Sequence, residues 1–297
     1  MKMAVIVNPV AGRGKSYAKW NILKKELSDN KLYVEEFVTK SKGMATDLAS
    51  HMQKAGYTRI MVAGGDGTLH EVINGLELPA NIEIGILPTG TGNDFARVVG
   101  VTYEKDLAVK LITRGETRLI DLGEVNQRKF INIAGVGFDA QVAYEVNTGF
   151  KFVSGTIAYL MALAKVMLTY KSLPIDIFID DVKKTEEILF FSVANAPYIG
   201  GGMKIVPQAI IDDGLFHICL AQKVTRLEIL QTLPKIYHGR HIEHSKVHII
   251  TAKELRLSSP FPLPLHADGE LLGTLPAYFR VLPGILHLLV PPKGLAL

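Results

Sequence analysis

The chain has 297 residues, 48% hydrophobic and 21% charged, with a formal net charge of +4 and one cysteine, Cys219. That length is about twice a usual domain, so one large unit or two modest ones are expected, and a lone cysteine excludes both an intrachain disulfide and a cysteine-based zinc cluster. No stretch offers the roughly 20 uninterrupted apolar residues of a membrane-spanning helix, and no secretion signal is visible at the N-terminus, so a soluble, cytoplasmic protein is expected.

Residues 1–50 hold nine Lys/Arg against five Asp/Glu, leaving 24 against 24 elsewhere. Such an excess suits an anionic ligand or lipid head groups, or is simply a solvated face. Over the first 115 or so residues, short β-branched runs alternate with helical patterns. Ala4–Val7, Val34–Thr39, Arg59–Ala63 and Glu83–Leu87 read as buried strands; Tyr17–Leu27, Met44–Lys54, Leu69–Leu76 and Lys105–Arg114 read as helices. This rhythm predicts a mainly parallel sheet flanked by helices, with ligands beyond the carboxyl ends of its strands.

Glycine-rich loops stand at those ends. Asn8-Pro9-Val10-Ala11-Gly12-Arg13-Gly14-Lys15-Ser16 ends like a P-loop, but the Walker pattern needs a glycine where Pro9 stands; the segment either covers a nucleotide or forms a flexible turn. Gly64-Gly65-Asp66-Gly67-Thr68 follows a strand and opens a helix, so its amides can converge on a phosphate beside a favourable helix N-terminus. Asp66 repels a phosphate unless a cation intervenes, which suggests Mg²⁺; the plain alternative is a tight turn with an N-cap. Thr89-Gly90-Thr91-Gly92-Asn93-Asp94 repeats the arrangement one strand later, before a helical stretch Phe95–Val99. Its hydroxyls and amides can ligate phosphate oxygens, or its Asn and Asp simply cap that helix.

From about Leu119 the pattern turns strand-like, with runs at Phe130–Ala134, Ile175–Ile179, Ile188–Ala194, Phe216–Ala221, Val247–Ala252, Glu254–Leu257, Leu263–Ala267 and Ala277–Leu282. Only Thr156–Leu168 and Arg226–Ile236 read as helices. An antiparallel sandwich or open barrel is expected, with residues 1–120 forming the α/β domain, residues 121–284 the β-rich domain, and the last strand, Ile285–Val290 within 285–297, returning to the first. Gly135-Val136-Gly137-Phe138-Asp139-Ala140 matches the dinucleotide fingerprint formally but lacks an accompanying βαβ unit and ribose-binding acid; Asp139 is kept as a cleft carboxylate. Asp212-Asp213-Gly214 is an acidic turn, and His241 with His244 has no matching ligand set. In His266-Ala267-Asp268-Gly269-Glu270, Asp-Gly is a strong hairpin signal; if the segment is extended instead, Asp268 and Glu270 share a face and pair as base and supporting acid.

In order, Asn8-Pro9 with its glycines, Gly64–Thr68 running through Leu69-His70-Glu71-Val72-Ile73-Asn74-Gly75, Pro88–Arg97, Asp212-Asp213-Gly214-Leu215, and Asp268-Gly269-Glu270 followed by Leu275-Pro276 span nearly the whole chain. Together these motifs resemble the diacylglycerol kinase catalytic family, in particular its soluble bacterial lipid kinases, and more distantly sphingosine and ceramide kinases. The Gly-Gly-Asp-Gly-Thr signature alone also occurs in NAD kinases and phosphofructokinases.

The resemblance implies an ATP-dependent lipid kinase with its active site in a cleft between an α/β and a β-sandwich-like domain. It places Gly64, Gly65, Asp66, Gly67 and Thr68 at the ATP phosphates and their Mg²⁺, with Asn8, Thr39 and Thr91 holding the nucleotide. It assigns Asp94 and Asp121 to a carboxylate and water network around the metal, Asp268 as general base with Glu270 beside it, and Asp213 with the Leu215 carbonyl to a second, structural Mg²⁺. Gly92 receives no role, and that of Asp139 stays open. The implied acceptor is diacylglycerol, giving phosphatidic acid, at a membrane met peripherally; no nucleic-acid partner is implied, and a homodimer is left open. Phe150–Tyr170, with Lys151, Lys165 and Lys171 bordering Tyr159, Leu160, Met161, Leu163 and Met167, either rests at an interface or packs on the second domain. The rival readings are a kinase for a soluble substrate such as NAD and a nucleotide-binding regulator without turnover.

Overall fold

A computed structural model describes residues 2–148, 156–180 and 182–292. The chain divides into two compact units, one comprising the residues up to Leu122 together with those from Pro283 onward, the other Gly123–Leu282.

The first unit is an α/β layer structure. Strands β1 (Met3–Val7), β2 (Glu35–Val38), β3 (Arg59–Gly64) and β4 (Glu83–Pro88) lie in the order β4-β3-β1-β2, all parallel. Register pairs Ile6 with both Phe37 and Val62, and Ile60 with Ile84. β1 is buried throughout, and β3 and β4 throughout after their first residue, as uninterrupted apolar runs require when helices cover both faces of a parallel sheet. The long strand Ala277–Val290 adds His287 and Leu288 in parallel beside Glu83 and Ile84 of β4. Pro283 and Gly284 lie within that strand, so the runs Ala277–Leu282 and Ile285–Val290 are one element.

Helices Ser16–Asp29, Met44–Lys54, Asp66–Gly75, Asp94–Val98 and Lys105–Arg114 connect or follow these strands. The third starts at Asp66 rather than Leu69, because an acid in the first turn complements the helix dipole. Residues Asp66, Gly67 and Thr68 therefore form a helical turn rather than a loop.

The second unit is an antiparallel β structure. Val182–Ala194 pairs with Ile133–Gly137, Leu173–Ile179 and Phe216–Gln222, while Phe216–Gln222 also pairs with Val247–Ala252. Leu173–Ile179 continues through Glu254–Ser258 to Ala277–Leu257's partner segment of the long strand, where Leu257 faces Ala277. One core, including Phe130, Phe191, Phe216 and Phe279, fills the interior of this curved sheet. A second, including Phe138, Val166, Ile205 and Cys219, lies beneath the helices.

Two differences from the sequence reading stand out. Phe138–Thr148 is a helix, hidden in the sequence because Gly135 and Gly137 punctuate its start and its apolar periodicity is weak. The strand before it pairs only antiparallel with its neighbours, so no βαβ unit forms there. Asp268 and Gly269 have φ of 51° and 84° and form the two-residue loop between Ala267 and Glu270. Both residues are thus left-handed, as a tight hairpin demands, and the extended geometry with Asp268 and Glu270 on one face does not occur. In the helix Thr156–Thr169, Ala162, Val166, Leu163 and Met167 pack on the second core while Met161 is exposed. Phe150 to Gly155, including Lys151, and the side chains of Tyr159 and Leu160 lie outside the described residues, as do residues 293–297.

Candidate active site

Four of the residues singled out in the sequence follow four neighbouring parallel strands. The Asn8 N–H bonds the Ala63 carbonyl at 2.9 Å, Thr39 N–H bonds Val7 carbonyl at 2.9 Å, and Thr89 N–H and Gly90 N–H both bond the Gly64 carbonyl at 3.0 Å. The carboxyl ends of β1 to β4 are therefore laced together, at the end of a parallel sheet where ligands bind. Asn8 Nδ2 also donates to Thr68 Oγ1 at 2.9 Å, and the buried hydroxyls of Ser16 and Thr89 are 2.6 Å apart. Thr91 is exposed in the loop after β4.

Asp66 ties the two glycine loops into one body. Its Oδ2 accepts the Asp94 N–H at 3.1 Å and its Oδ1 accepts the Phe95 N–H at 3.0 Å. The carboxylate thus satisfies two amides at the start of the helix Asp94–Val98, where no side chain of Asn93 caps. Hydrogen bonds to a charged acceptor contribute about 1.5–3 kcal/mol each. Asp94 itself is buried and paired with Arg97 at 2.8 Å. Close approach of backbone is required as well: a Cβ on Gly90 would stand 2.4 Å from the Gly65 Cα. A small recess beside these loops is lined by Gly64, Gly65, Asp66 and Asn93 over an apolar floor of Val62 and Ile86. Glu71 has a structural task, accepting the Gly43 and Ala45 amides at 3.0 and 3.2 Å and so docking the helix Met44–Lys54.

Asp121 is buried in the strand Glu116–Val125, where its Oδ1 accepts the Gly284 N–H at 2.7 Å. Asp213 Oδ1 accepts the Leu215 N–H at 3.0 Å, and its Oδ2 faces His217 Nε2 at 2.8 Å. Among the described residues, no three His, Cys, Asp or Glu side chains converge to hold a metal unaided. The partly exposed Asp66 beside an amide-rich loop fits Mg²⁺, which keeps waters and takes one or two carboxylates with substrate phosphates rather than a protein cage.

In the second unit, Asp268 is held by three amides. Oδ1 accepts Asn132 N–H at 2.8 Å and Ile133 N–H at 3.2 Å, and Oδ2 accepts Ile131 N–H at 3.0 Å. The orientation of this carboxylate is set by backbone, not by mobile side chains. Glu270 opens the next strand, opposite Ala267. Asp139 belongs to a cluster that the sequence does not announce: its Oδ2 accepts the Ser192 hydroxyl at 3.0 Å and meets His266 Nε2 at 3.2 Å, while Oδ1 accepts the Ala140 N–H at 2.8 Å. Partners separated by 53 and 127 positions leave no local trace in a sequence. His241 is buried with its Nε2 on the Ile205 carbonyl at 2.9 Å, away from any role as a metal ligand pair with His244.

Known proteins share this organisation. Residues 2–125 match the diacylglycerol kinase catalytic domain, and residues 132–290 match the YegS C-terminal NAD kinase beta sandwich-like domain. A diacylglycerol kinase of Staphylococcus saprophyticus is 32% identical over 295 residues, covering 97% of this chain and 94% of its own. One from Staphylococcus haemolyticus is 34% identical over 283 residues, covering 93% and 84%. The crystal structure of a diacylglycerol kinase from Bacillus anthracis aligns with a TM-score of 0.75 at 25% identity, over 98% of this chain and 97% of that one. With an α/β unit of parallel strands, a β-sandwich-like unit and relatives matched over nearly its full length, the chain belongs to the diacylglycerol kinase family of lipid kinases.

Proposed function

We propose that the protein is an ATP- and Mg²⁺-dependent lipid kinase that transfers the γ-phosphoryl group to the hydroxyl of diacylglycerol, giving phosphatidic acid, on the cytoplasmic face of a membrane that it meets peripherally. The observation that carries the reading is the bonding of Asp66 to the Asp94 and Phe95 amides, which makes one rigid phosphate-facing body of two glycine loops at adjacent strand ends. Phosphoryl transfer asks the protein for positioning and charge neutralisation far more than for covalent help.

In this reading Gly64, Gly65, Gly67 and Thr68 present amides and a hydroxyl to the ATP phosphates, and Asn8, Thr39 and Thr91 hold the nucleotide at the strand ends. Bound Mg²⁺, held by Asp66 with Asp94 and Asp121 through water, neutralises the phosphate oxygens; the Asp213 turn with Leu215 is proposed for a second, structural Mg²⁺. Asp268 accepts the proton of the lipid hydroxyl as its oxygen bonds the γ-phosphorus and the bond to ADP breaks. Three amides keep the Asp268 carboxylate pointed, and Glu270 stands next along the hairpin.

The resemblance of residues 132–290 to a domain named for NAD kinase supports a second reading, phosphorylation of a soluble acceptor. Radiolabelled ATP offered with diacylglycerol in mixed micelles, with a total lipid extract and with NAD separates the two. Label in a chloroform-soluble product, lost on chelation, restored by Mg²⁺ and reduced about 10²-fold or more in Asp268→Asn, is the expected result. Label in NAD alone, or full turnover by Asp268→Asn, refutes the reading.

A further inference from the structure

We propose that the outer face of the helix Arg226–Ile236, with the adjoining end of the helix Thr156–Thr169, is the surface by which this protein docks on an anionic phospholipid bilayer. Leu227 and Leu230, three positions apart on the first helix, are 63% and 54% exposed, and Leu168 on the second is 66% exposed. Arg226 joins the two helices by donating to the Leu168 carbonyl at 2.5 Å, so the three leucines belong to one patch. Burial does not call for leucine at these positions, because the inward side of the same helices is already filled: Ile229, Ile236, Leu163 and Met167 pack on the core beneath. Scattered exposed apolar residues are ordinary, whereas a contiguous group ringed by charge marks a contact surface.

The charge around the patch selects the occupant. Residues 223–246 contain five Lys/Arg against two Asp/Glu, a surplus of three in a chain whose whole net charge is +4. Both acids are engaged locally, Glu228 with the Thr225 amide at 2.6 Å and Lys246 at 3.6 Å, Glu243 with Arg240 at 2.9 Å. Lys235 and Arg226 border the leucines, and Lys171 follows Leu168 by three positions. A two-fold dimer through this patch would set like charge against like, while an anionic head-group layer attracts the cations and accepts the leucines at its acyl boundary. The surface serves the lipid-kinase reading above, but it is tested without turnover.

The test is sedimentation with vesicles of phosphatidylcholine alone or mixed with phosphatidylglycerol, at low and high salt. Wild-type protein is expected in the pellet with the anionic vesicles at low salt only, and Asp268→Asn is expected to sediment equally. Leu227→Glu/Leu230→Glu and Arg226→Gln/Lys235→Gln should each reduce the bound fraction by roughly tenfold, with unchanged circular dichroism and unchanged phosphorylation of a short-chain, water-soluble diacylglycerol. Loss of that soluble turnover in Asp268→Asn while vesicle binding persists would keep the two claims apart. Variants that sediment like wild type, wild type that stays in the supernatant, or a leucine variant that only dissolves a dimer in light scattering would overturn the proposal.

Discussion

His266 Nε2 meets Asp139 Oδ2 at 3.2 Å, joining residues 127 positions apart, and His266 stands two residues before Asp268. The strand Pro264–Ala267 is thereby held at both ends. Leu265, His266 and Ala267 pair with Val136, Gly135 and Ala134, and the Asp268 carboxylate seizes the amides of residues 131–133 just upstream of that partner strand. A base fixed by backbone is only as well placed as the strand pairing beneath it. His266→Ala should therefore lower kcat by about tenfold with little change in the KM for ATP, because misplacement of a reacting group acts on turnover. His266→Gln, which keeps a donor of similar reach toward Asp139, should recover most of the loss; an equal loss in both variants would assign the effect to ring packing instead.

The same carboxylate bears on Cys219. Burial first, and the Asp139 charge second, push this thiol from its ordinary 9.0 up to about 12. The folded protein should then resist alkylation at pH 8 and react fully once denatured, because the thiolate is the nucleophile. The sign for stability follows. The unfolded thiol ionises above about 9 and the folded one only near 12, so this contribution is complete below pH 9 and declines between 9 and 12. Urea unfolding across that window should show a shallower decline in Cys219→Ala than in wild type.

Asp66 carries a structural duty that its position in a phosphate loop conceals. Asp66→Asn offers one carbonyl oxygen in place of two charged ones, and its amide group opposes the amide donors of Asp94 and Phe95. We expect a loss of about 1–3 kcal/mol in unfolding free energy, measured by chemical denaturation, together with loss of kinase activity. Unchanged stability would mean that the helix Asp94–Val98 is satisfied without this carboxylate.

Much of this architecture is legible in the residues because local physics sets it. β1, β3 and β4 are continuous apolar runs ended by glycine or proline, a pattern that a sheet covered on both faces requires. Asp268-Gly269 reads as a hairpin for the reason that it is one, positive φ at both positions. What the sequence conceals is long-range. The three amides that hold Asp268 come from residues 131–133, and the Ser192 and His266 partners of Asp139 are set by strand pairing that no nearby residue encodes. The helix Phe138–Thr148 is obscured for the opposite reason, since the glycines before it carry a stronger local signal than its own weak periodicity.

Gly67 separates folding from function most cleanly. At Gly90 a Cβ would lie 2.4 Å from the Gly65 Cα, so glycine there is imposed by the chain itself. At Gly67, in the first turn of the helix Asp66–Gly75, a Cβ would meet nothing within 4 Å. Its φ is not in the left-handed region either. Packing and backbone conformation therefore give no reason for glycine, and alanine favours a helix by up to about 1 kcal/mol. If an ATP phosphate approaches this amide closely, a methyl group stands in its way. Gly67→Ala should then unfold at the same or a higher denaturant concentration than wild type while the KM for ATP rises by about tenfold or more. A variant that is no less stable and binds ATP as well as wild type would remove the first turn of this helix from the phosphate site.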